Sequence, residues 1–338
     1  MDSGSHADAP VPEVSVIIPA FNAEDTLALQ LGALTDQAGD FTCEILVCDN
    51  GSTDGTADLV RDWERRFPII RLIDASARRG PAAARNIGAA AARAPRLAFC
   101  DADDLIGSGW LALIRSKLDE HEFVAGSFDF ALLNEGIDTP GLWSAQASGL
   151  TRKPYLPQFE VAGSGNMGVR TAAFRHVEGF FEGLRTAEDD DFCLRMQLSG
   201  HALAFVPELR LNVRRRGGVR ELCRQAYAYA AGERRLQYRY AAFAAAASQP
   251  VTESPQQIAA SETSWLAVPA RTWELTTRAF RKALAIRRPA DVAAIGWRWS
   301  WRLGWLLTSE DPAIPRVHPD QPASLLASWS GPASPARD

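Results

Sequence analysis

Residues 14–213 predict an α/β fold: a mostly parallel sheet flanked by helices, followed by a helical extension. Three observations carry this. Short apolar runs recur at Val14–Ile18, Cys43–Cys48, Ile69–Ile73 and Arg96–Cys100, each too short for a helix. Stretches with helical periodicity or helix-start signals separate them, which implies parallel strands joined by helical crossovers. The strand exits carry polar groups, Asn22 after the first, Asp49 after the second, and Asp101 with Asp103 after the fourth. Parallel strands point their carboxyl ends the same way, so these groups are expected on one rim, where open α/β sheets bind ligands.

The elements follow in order. Glu24–Thr35 places leucines at 27, 31 and 34 on one helical face. Asn50-Gly51-Ser52-Thr53-Asp54-Gly55 is a turn whose small polar residues cap a helix over Thr56–Arg66. Gly80-Pro81 opens an Ala-rich helix through Ala92, with Pro suited to the first turn. After Cys100 come Asp101, Ala102, Asp103 and Asp104. Clustered carboxylates repel unless a cation joins them, and a hard divalent ion that also holds a diphosphate suits them. The competing reading is an acidic cap on a helix over Gly109–Leu118. Glu122–Leu133 is strand-like, and Asn134–Glu160 is a long Gly/Pro-containing connection. Gly163-Ser164-Gly165-Asn166-Met167-Gly168 permits close backbone approach to a ligand. Thr186–Ser199 is a helix that opens with Glu188-Asp189-Asp190-Asp191, acids that the helix dipole favours by itself.

Ala202–Val206 is a last strand, Arg210–Arg220 is basic, and Glu221–Ser248 is largely helical. Gln249–Ser264 is Ser/Pro/Gln-rich and reads as a linker. In Arg271–Leu307 basic residues outnumber acidic ones eight to two, and Trp297, Trp301 and Trp305 form one helical stripe beside Arg298 and Arg302. A helix lying in a membrane interface has this pattern; so does a helix packed on the domain with its arginines in water. The expected organisation is an unstructured lead-in over 1–12, a catalytic domain over 13–215, a helical region over 216–308 and an unstructured tail over 309–338.

The chain of 338 residues is 46% hydrophobic, enough for a sizeable core, and its formal charge of −5 gives no general affinity for nucleic acid. Five cysteines without a CxxC pair argue against a disulfide scaffold or a zinc site and suit a reducing compartment. No apolar stretch is long enough to span a bilayer. A cytoplasmic location is expected, at the inner face of the membrane if the tryptophan stripe docks there. The five histidines are scattered and read as structural, with His201 the nearest in sequence to the expected site.

Together these pieces resemble the family 2 glycosyltransferases, which have a Rossmann-like GT-A fold. The resemblance rests on Val14-Ser-Val-Ile-Ile-Pro-Ala-Phe-Asn22, Cys48-Asp-Asn-Gly-Ser-Thr-Asp-Gly-Thr56, Gly80-Pro-Ala-Ala-Ala-Arg-Asn-Ile-Gly88, Asp101-Ala-Asp103, and Glu188-Asp189 with Asp191, Phe192, Leu194 and Arg195. It implies a donor site at Pro19, Phe21, Asn22, Asp49, Arg85, Asp101 and Ala102, with Asp49 on the nucleobase and Arg85 near the diphosphate. It implies Asp103 as ligand of Mg²⁺ or Mn²⁺, Asp189 as general base, and Glu188 orienting that base or touching the acceptor. Asn166 and Met167 are the expected acceptor contacts. Asn50 departs from the pattern, standing where many members have a second acid. The Gln-X-X-Arg-Trp motif of processive polysaccharide synthases does not follow Val213.

The implied activity is metal-dependent, inverting transfer of a sugar from a UDP-, GDP- or TDP-sugar to an acceptor hydroxyl on a small molecule, lipid-linked glycan or protein-linked glycan. The competing activities are a sugar nucleotidyltransferase, which usually carries a Gly-rich basic loop after its first strand, and a non-catalytic nucleotide-sugar-binding protein at the membrane. Homo-oligomerisation is compatible with either. Arg214-Arg215-Arg216 is read two ways, as an addition to the diphosphate site or as a solvated basic patch.

Overall fold

The computed structural model describes residues 10–39, 41–135, 146–215, 217–247 and 289–318. Its first half is β1 (Val14–Ala20), α1 (Leu27–Gln37), β2 (Cys43–Asp49), α2 (Thr56–Arg66), β3 (Ile70–Asp74), α3 (Pro81–Ala91) and β4 (Arg96–Cys100). β1 pairs in parallel with β2 and β4, and β2 with β3. β1 is buried on both faces yet still alternates. Val14, Val16 and Ile18 face the core under α1 and the later helix α4 (Trp110–Glu120), while Ile17 joins Leu46, Leu97 and Phe99 against α3 and α6 (Glu188–Leu198).

The second half adds β5 (Leu105–Ile106), β6 (Phe123–Asp129), β7 (Thr151–Lys153), β8 (Leu156–Val161), β9 (Asn166–Arg170), α5 (Thr171–His176) and β10 (Leu203–Asn212). The eight-stranded sheet runs β3-β2-β1-β4-β9-β6-β10-β5. β9 is antiparallel to both β4 and β6, so its first residues, and the Gly163–Gly165 turn before them, meet the carboxyl ends of its neighbours. β10 runs parallel to β6 and brings Val213 and Arg214 to the same rim.

The described part of the 134–160 connection, expected as loop, contains the hairpin β7–β8; residues 136–145 lie outside the described residues. Apolar contacts at Leu156 and Val161, both fully buried or nearly so, hold it against the core.

α7 (Val219–Ala247) and α8 (Pro289–Leu307) pack against each other. Their backbones come close at Gly304, where a Cβ would lie 2.4 Å from the Tyr227 carbonyl oxygen. Residues 309–318, expected as the start of an unstructured tail, instead fold back. Val317 donates its N–H to the Arg239 carbonyl at 2.7 Å, and Ile314 and Val317 are buried. The 249–264 linker lies outside the described residues. Among the described residues no helix is long and apolar enough to cross a membrane.

Candidate active site

A cavity of about 1620 Å³ opens at the carboxyl rim of the sheet. One side is built by the exits of β1 and β2. The Asn22 N–H donates to Ser52 Oγ at 2.9 Å, and Asn22 Oδ1 accepts the Thr53 N–H at 2.8 Å, which ties the two exit loops together. Pro19, Phe21 and Asn22 line the cavity, and Phe21 is 59% exposed.

Asn50 lines it too. Its Nδ2 donates to the carbonyls of Ala75 and Arg78 at 2.6 and 2.7 Å, and its Oδ1 accepts the Gly80 N–H at 2.7 Å. A carboxylate could not donate to those two carbonyls, so the amide at this departure from the family pattern organises the β3–α3 loop. Asp49 stands beside the cavity rather than in its lining, with its Oδ1 accepting the Ser52 N–H at 3.1 Å.

The floor is acidic. Asp101, Ala102, Asp103 and Asp104 line it, immediately after β4. Asp101 Oδ1 accepts from Arg85 Nη2 at 2.7 Å. Arg214 folds onto the same cluster: its N–H donates to Asp104 Oδ1 at 2.8 Å and its Nε to the Asp103 carbonyl at 3.0 Å. Arg215 also lines the cavity, with its guanidinium 4.8 Å from the centre of the Phe130 ring. The solvated-patch reading of Arg214 and Arg215 is thereby replaced; Arg216 lies outside the described residues.

Burial, and then the charges of Asp103 and Asp101, push the Asp104 carboxyl well above its usual range. The cluster offers hard carboxylate oxygens, the ligand type that Mg²⁺ and Mn²⁺ take. Among the described residues no three His, Cys, Asp or Glu side chains form a complete metal cage.

The four acids that open α6 have four different fates. Glu188 Oε1 accepts from Arg85 Nη1 at 3.1 Å, so one buried guanidinium joins α6 to the β4 cluster. Asp189 faces the cavity; its Oδ1 accepts the Asp190 N–H at 2.9 Å. Asp190 pairs with Lys153 at 2.5 Å, and Lys153 pairs in turn with Glu233 of α7 at 2.6 Å. Asp191 is fully buried. It accepts from Arg195 Nε and Arg239 Nε, each at 2.7 Å, and from the Tyr240 hydroxyl at 3.0 Å.

Burial sets the protonation pattern. It pushes Glu188 up to about 8, with the Asp189 charge adding and Arg85 opposing. It pushes Asp190 up to about 7 against the pull of Lys153, and raises Asp189 against the pull of Arg85. Asp191 goes the other way: although burial opposes ionisation, Arg239 and Arg195 hold its carboxyl below the usual range. Carboxyls tuned toward neutrality in a cleft are suited to proton transfer.

Two expected contacts are corrected. Asn166 is fully buried; its Nδ2 donates to the Ser127 and Leu209 carbonyls, and its Oδ1 accepts from Trp110 Nε1 at 2.7 Å. Met167 is a fully buried core residue at the centre of the sheet. Neither reaches the cavity, because both belong to a strand packed on its two faces. The turn before them does: Gly163, Ser164 and Gly165 line it, and a Cβ on Gly165 would lie 2.8 Å from Asp101 Oδ2. His201 sits elsewhere, paired with Glu122 at 2.7 Å and His176 at 2.9 Å.

The wall opposite the donor rim was not legible as motifs. Lys153 and Glu233 carry no signature, and Gln225 and Tyr229 lie in an Ala/Tyr-rich helix that reads as packing. The tryptophan stripe was visible, but its face differs from the membrane-facing expectation. Trp297 and Trp301 line the cavity and Trp305 lies under Arg234. The exposed apolar face of α8 is instead Val292, Trp299, Leu303, Leu306 and Leu307. Trp273 and the rest of 271–288 lie outside the described residues.

Comparison with known proteins agrees with this geometry. The model of glycosyl transferase family 2 matches residues 15–178. Glycosyltransferase AglE of Haloferax volcanii is 28% identical over 202 residues, covering 59% of this chain and 66% of that protein. Validoxylamine A glucosyltransferase of Streptomyces hygroscopicus is 42% identical over 118 residues, 34% of this chain and 25% of that one. The chain therefore spans from a quarter to just under two thirds of the length of these two relatives. Among solved structures, the mannosyltransferase PcManGT of Pyrobaculum calidifontis, in complex with GDP-Man and Mn²⁺, superposes with a TM-score of 0.56 at 19% identity, covering 86% of this chain and 87% of that one. Over residues 15–178 the chain is similar to glycosyl transferase family 2, and it has the GT-A fold.

Proposed function

We propose that the chain is a metal-dependent, inverting glycosyltransferase that moves a sugar from a nucleoside diphosphate donor to an acceptor hydroxyl. The observation that carries this reading is the bridge made by Arg85, which joins Asp101 at the acidic floor to Glu188 beside Asp189 in one cavity. A nucleotidyltransferase reading lacks its Gly-rich basic loop, because β1 exits through Pro19-Ala20-Phe21-Asn22.

In this reading Phe21, Asn22 and the β2 exit hold the nucleoside, and Asp49, beside the cavity, is the base contact that the family resemblance implies. Arg85, Arg214 and Arg215 supply positive charge along the diphosphate, the electrostatic contribution that is often largest in catalysis. Asp103, with Asp101 beside it, would hold Mg²⁺ or Mn²⁺, which when bound neutralises charge on the leaving diphosphate. Asp189 takes the acceptor hydroxyl proton. The acceptor oxygen then bonds to the anomeric carbon as the bond from that carbon to the diphosphate oxygen breaks, and the diphosphate leaves with its electron pair. Attack from the face opposite the diphosphate inverts the anomeric centre. Glu188 and Arg85 position Asp189 and stay in place.

The related mannosyltransferase structure, which holds GDP-Man and Mn²⁺, supports a nucleotide-sugar donor and a divalent ion here. The exposed apolar face of α8 is read as a docking face for an anionic lipid surface, with Arg298 and Arg302 at the border between it and the cavity that they also line.

The test is donor hydrolysis. With Mn²⁺, one of a panel of UDP-, GDP- and TDP-sugars is expected to be hydrolysed slowly, with water as acceptor, and EDTA to stop it. A panel that neither binds nor reacts would remove the reading.

A further inference from the structure

The cavity is larger than one ligand requires. Pockets of about 300–1,000 Å³ suit a single small ligand, whereas this one measures about 1620 Å³. The residues assigned to the donor lie on the sheet rim. The remaining wall is built by β7, α7 and α8, elements beyond the strand-exit motifs, and its chemistry is different.

Three aromatic rings stand in that wall. Trp297 and Trp301, on successive turns of α8, lie near parallel at 23° with ring centres 6.4 Å apart. Tyr229 of α7 meets Trp297 edge to face, with centres 6.5 Å apart. All three are half-buried and line the cavity. Polar groups lie among them. Gln225 Nε2 donates to the Tyr229 hydroxyl at 3.0 Å. Lys153 bridges Asp190, next to the base, and Glu233, one helical turn from Tyr229.

An apolar chain would leave those buried charges facing hydrocarbon, which is costly. A flat nucleobase is already served by Phe21 and Asn22 on the far side. A pyranose has what this wall lacks: an apolar C–H face for an aromatic ring's negative π-face, and a periphery of hydroxyls that both donate and accept.

We propose that Trp297, Trp301 and Tyr229, with Gln225, Lys153 and Glu233, form the acceptor subsite, and that the acceptor is a saccharide. This rests on the glycosyltransferase reading and names its second substrate. The Lys153 bridge is the physical link between shelf and base: it fixes Asp190 beside Asp189, so that a hydroxyl of a sugar on the shelf is presented to the base.

The experiment is saturation-transfer-difference NMR on the full chain, using methyl glycopyranosides of glucose, mannose and galactose and the disaccharides maltose, cellobiose and lactose, with glycerol as control. UDP and GDP binding is measured separately by calorimetry. At least one saccharide is expected to receive saturation on its ring C–H protons, and glycerol none. Trp301→Leu is expected to weaken that binding at least tenfold, Trp301→Phe to retain most of it, and Gln225→Ala, a milder change, to weaken it severalfold. Absence of any saccharide signal in the wild-type chain, or equal signals in the wild-type and Trp301→Leu chains, would overturn the subsite. Nucleotide binding without saccharide binding sinks the shelf alone. Saccharide binding by a chain that neither binds nor hydrolyses any UDP-, GDP- or TDP-sugar of the donor panel sinks the transfer reading and leaves the shelf standing.

Discussion

Arg85 and Glu188, 103 residues apart in the chain, meet at 3.1 Å, and the same guanidinium holds Asp101 at 2.7 Å. The planar, forked guanidinium fixes the direction of both contacts, which a point-like ammonium does not. Arg85→Met and Arg85→Lys should therefore both fail to hold the two carboxylates in register. Hydrogen bonds to charged groups contribute about 1.5–3 kcal/mol, so UDP or GDP affinity in the presence of Mn²⁺ should fall by about tenfold to a hundredfold, as calorimetry would show. Unchanged affinity in the Lys variant would mean that charge alone matters.

Asp189 faces the cavity, whereas Glu188 and Asp190 are tied to Arg85 and Lys153. Asp189→Asn should lower kcat by about 10²–10⁴-fold, the usual contribution of a general base, while nucleotide affinity stays the same. Single-turnover transfer measured beside calorimetry separates the two. A variant as fast as the wild type would remove Asp189 from the mechanism.

Burial lifts Asp190 to about 7 while Lys153 pulls it down, and the same cation pulls on Asp189. A base must be ionised, so kcat/KM should fall as pH drops through the raised value of Asp189. Lys153→Met takes away the pull, both carboxyls titrate higher, and the acid limb should move to higher pH. A pH profile of donor hydrolysis reads this directly; a limb that stays put or moves down contradicts it.

Asp191 is the fully buried partner of Arg195 and Arg239 and packs α6 against α7. Asp191→Asn leaves two buried cations without a counter-charge and should cost about 3–5 kcal/mol of stability, measured by urea denaturation. The lowered carboxyl contributes stability above the ordinary carboxylate range and loses it only as pH falls through its lowered folded value. The wild-type advantage over Asp191→Asn should therefore hold at neutral pH and shrink in strong acid.

The apolar face of α8 includes Trp299, Leu306 and Leu307, which are 61%, 75% and 68% exposed. Replacing all three with Ser should reduce co-sedimentation with liposomes containing phosphatidylserine and leave folding unaffected, because none of them is buried. Equal sedimentation of variant and wild type would rule out this face as the lipid contact.

Much of this protein is determined locally. The apolar runs at β1, β2 and β4, the helix starts at Thr56 and Pro81, and the polar strand exits follow from short-range periodicity and turn chemistry, so fold class and the polar rim of the sheet are legible residue by residue. The acids of α6 show the limit. Glu188, Asp189, Asp190 and Asp191 are adjacent and chemically alike, and no local rule tells a base from a buried anchor. Their roles are set by Arg85, Lys153, Arg195 and Arg239, of which only Arg195 lies within one helical turn of them. Asn166 and Met167 look like site residues beside a glycine-rich turn, but the insertion of β9 between β4 and β6 buries them, and sheet order is a long-range property. The tryptophans of α8 follow the same logic. Helical spacing groups them on faces, but which face meets the cavity and which meets solvent depends on how α7 and α8 pack, an outcome of tertiary contacts that sequence periodicity does not encode.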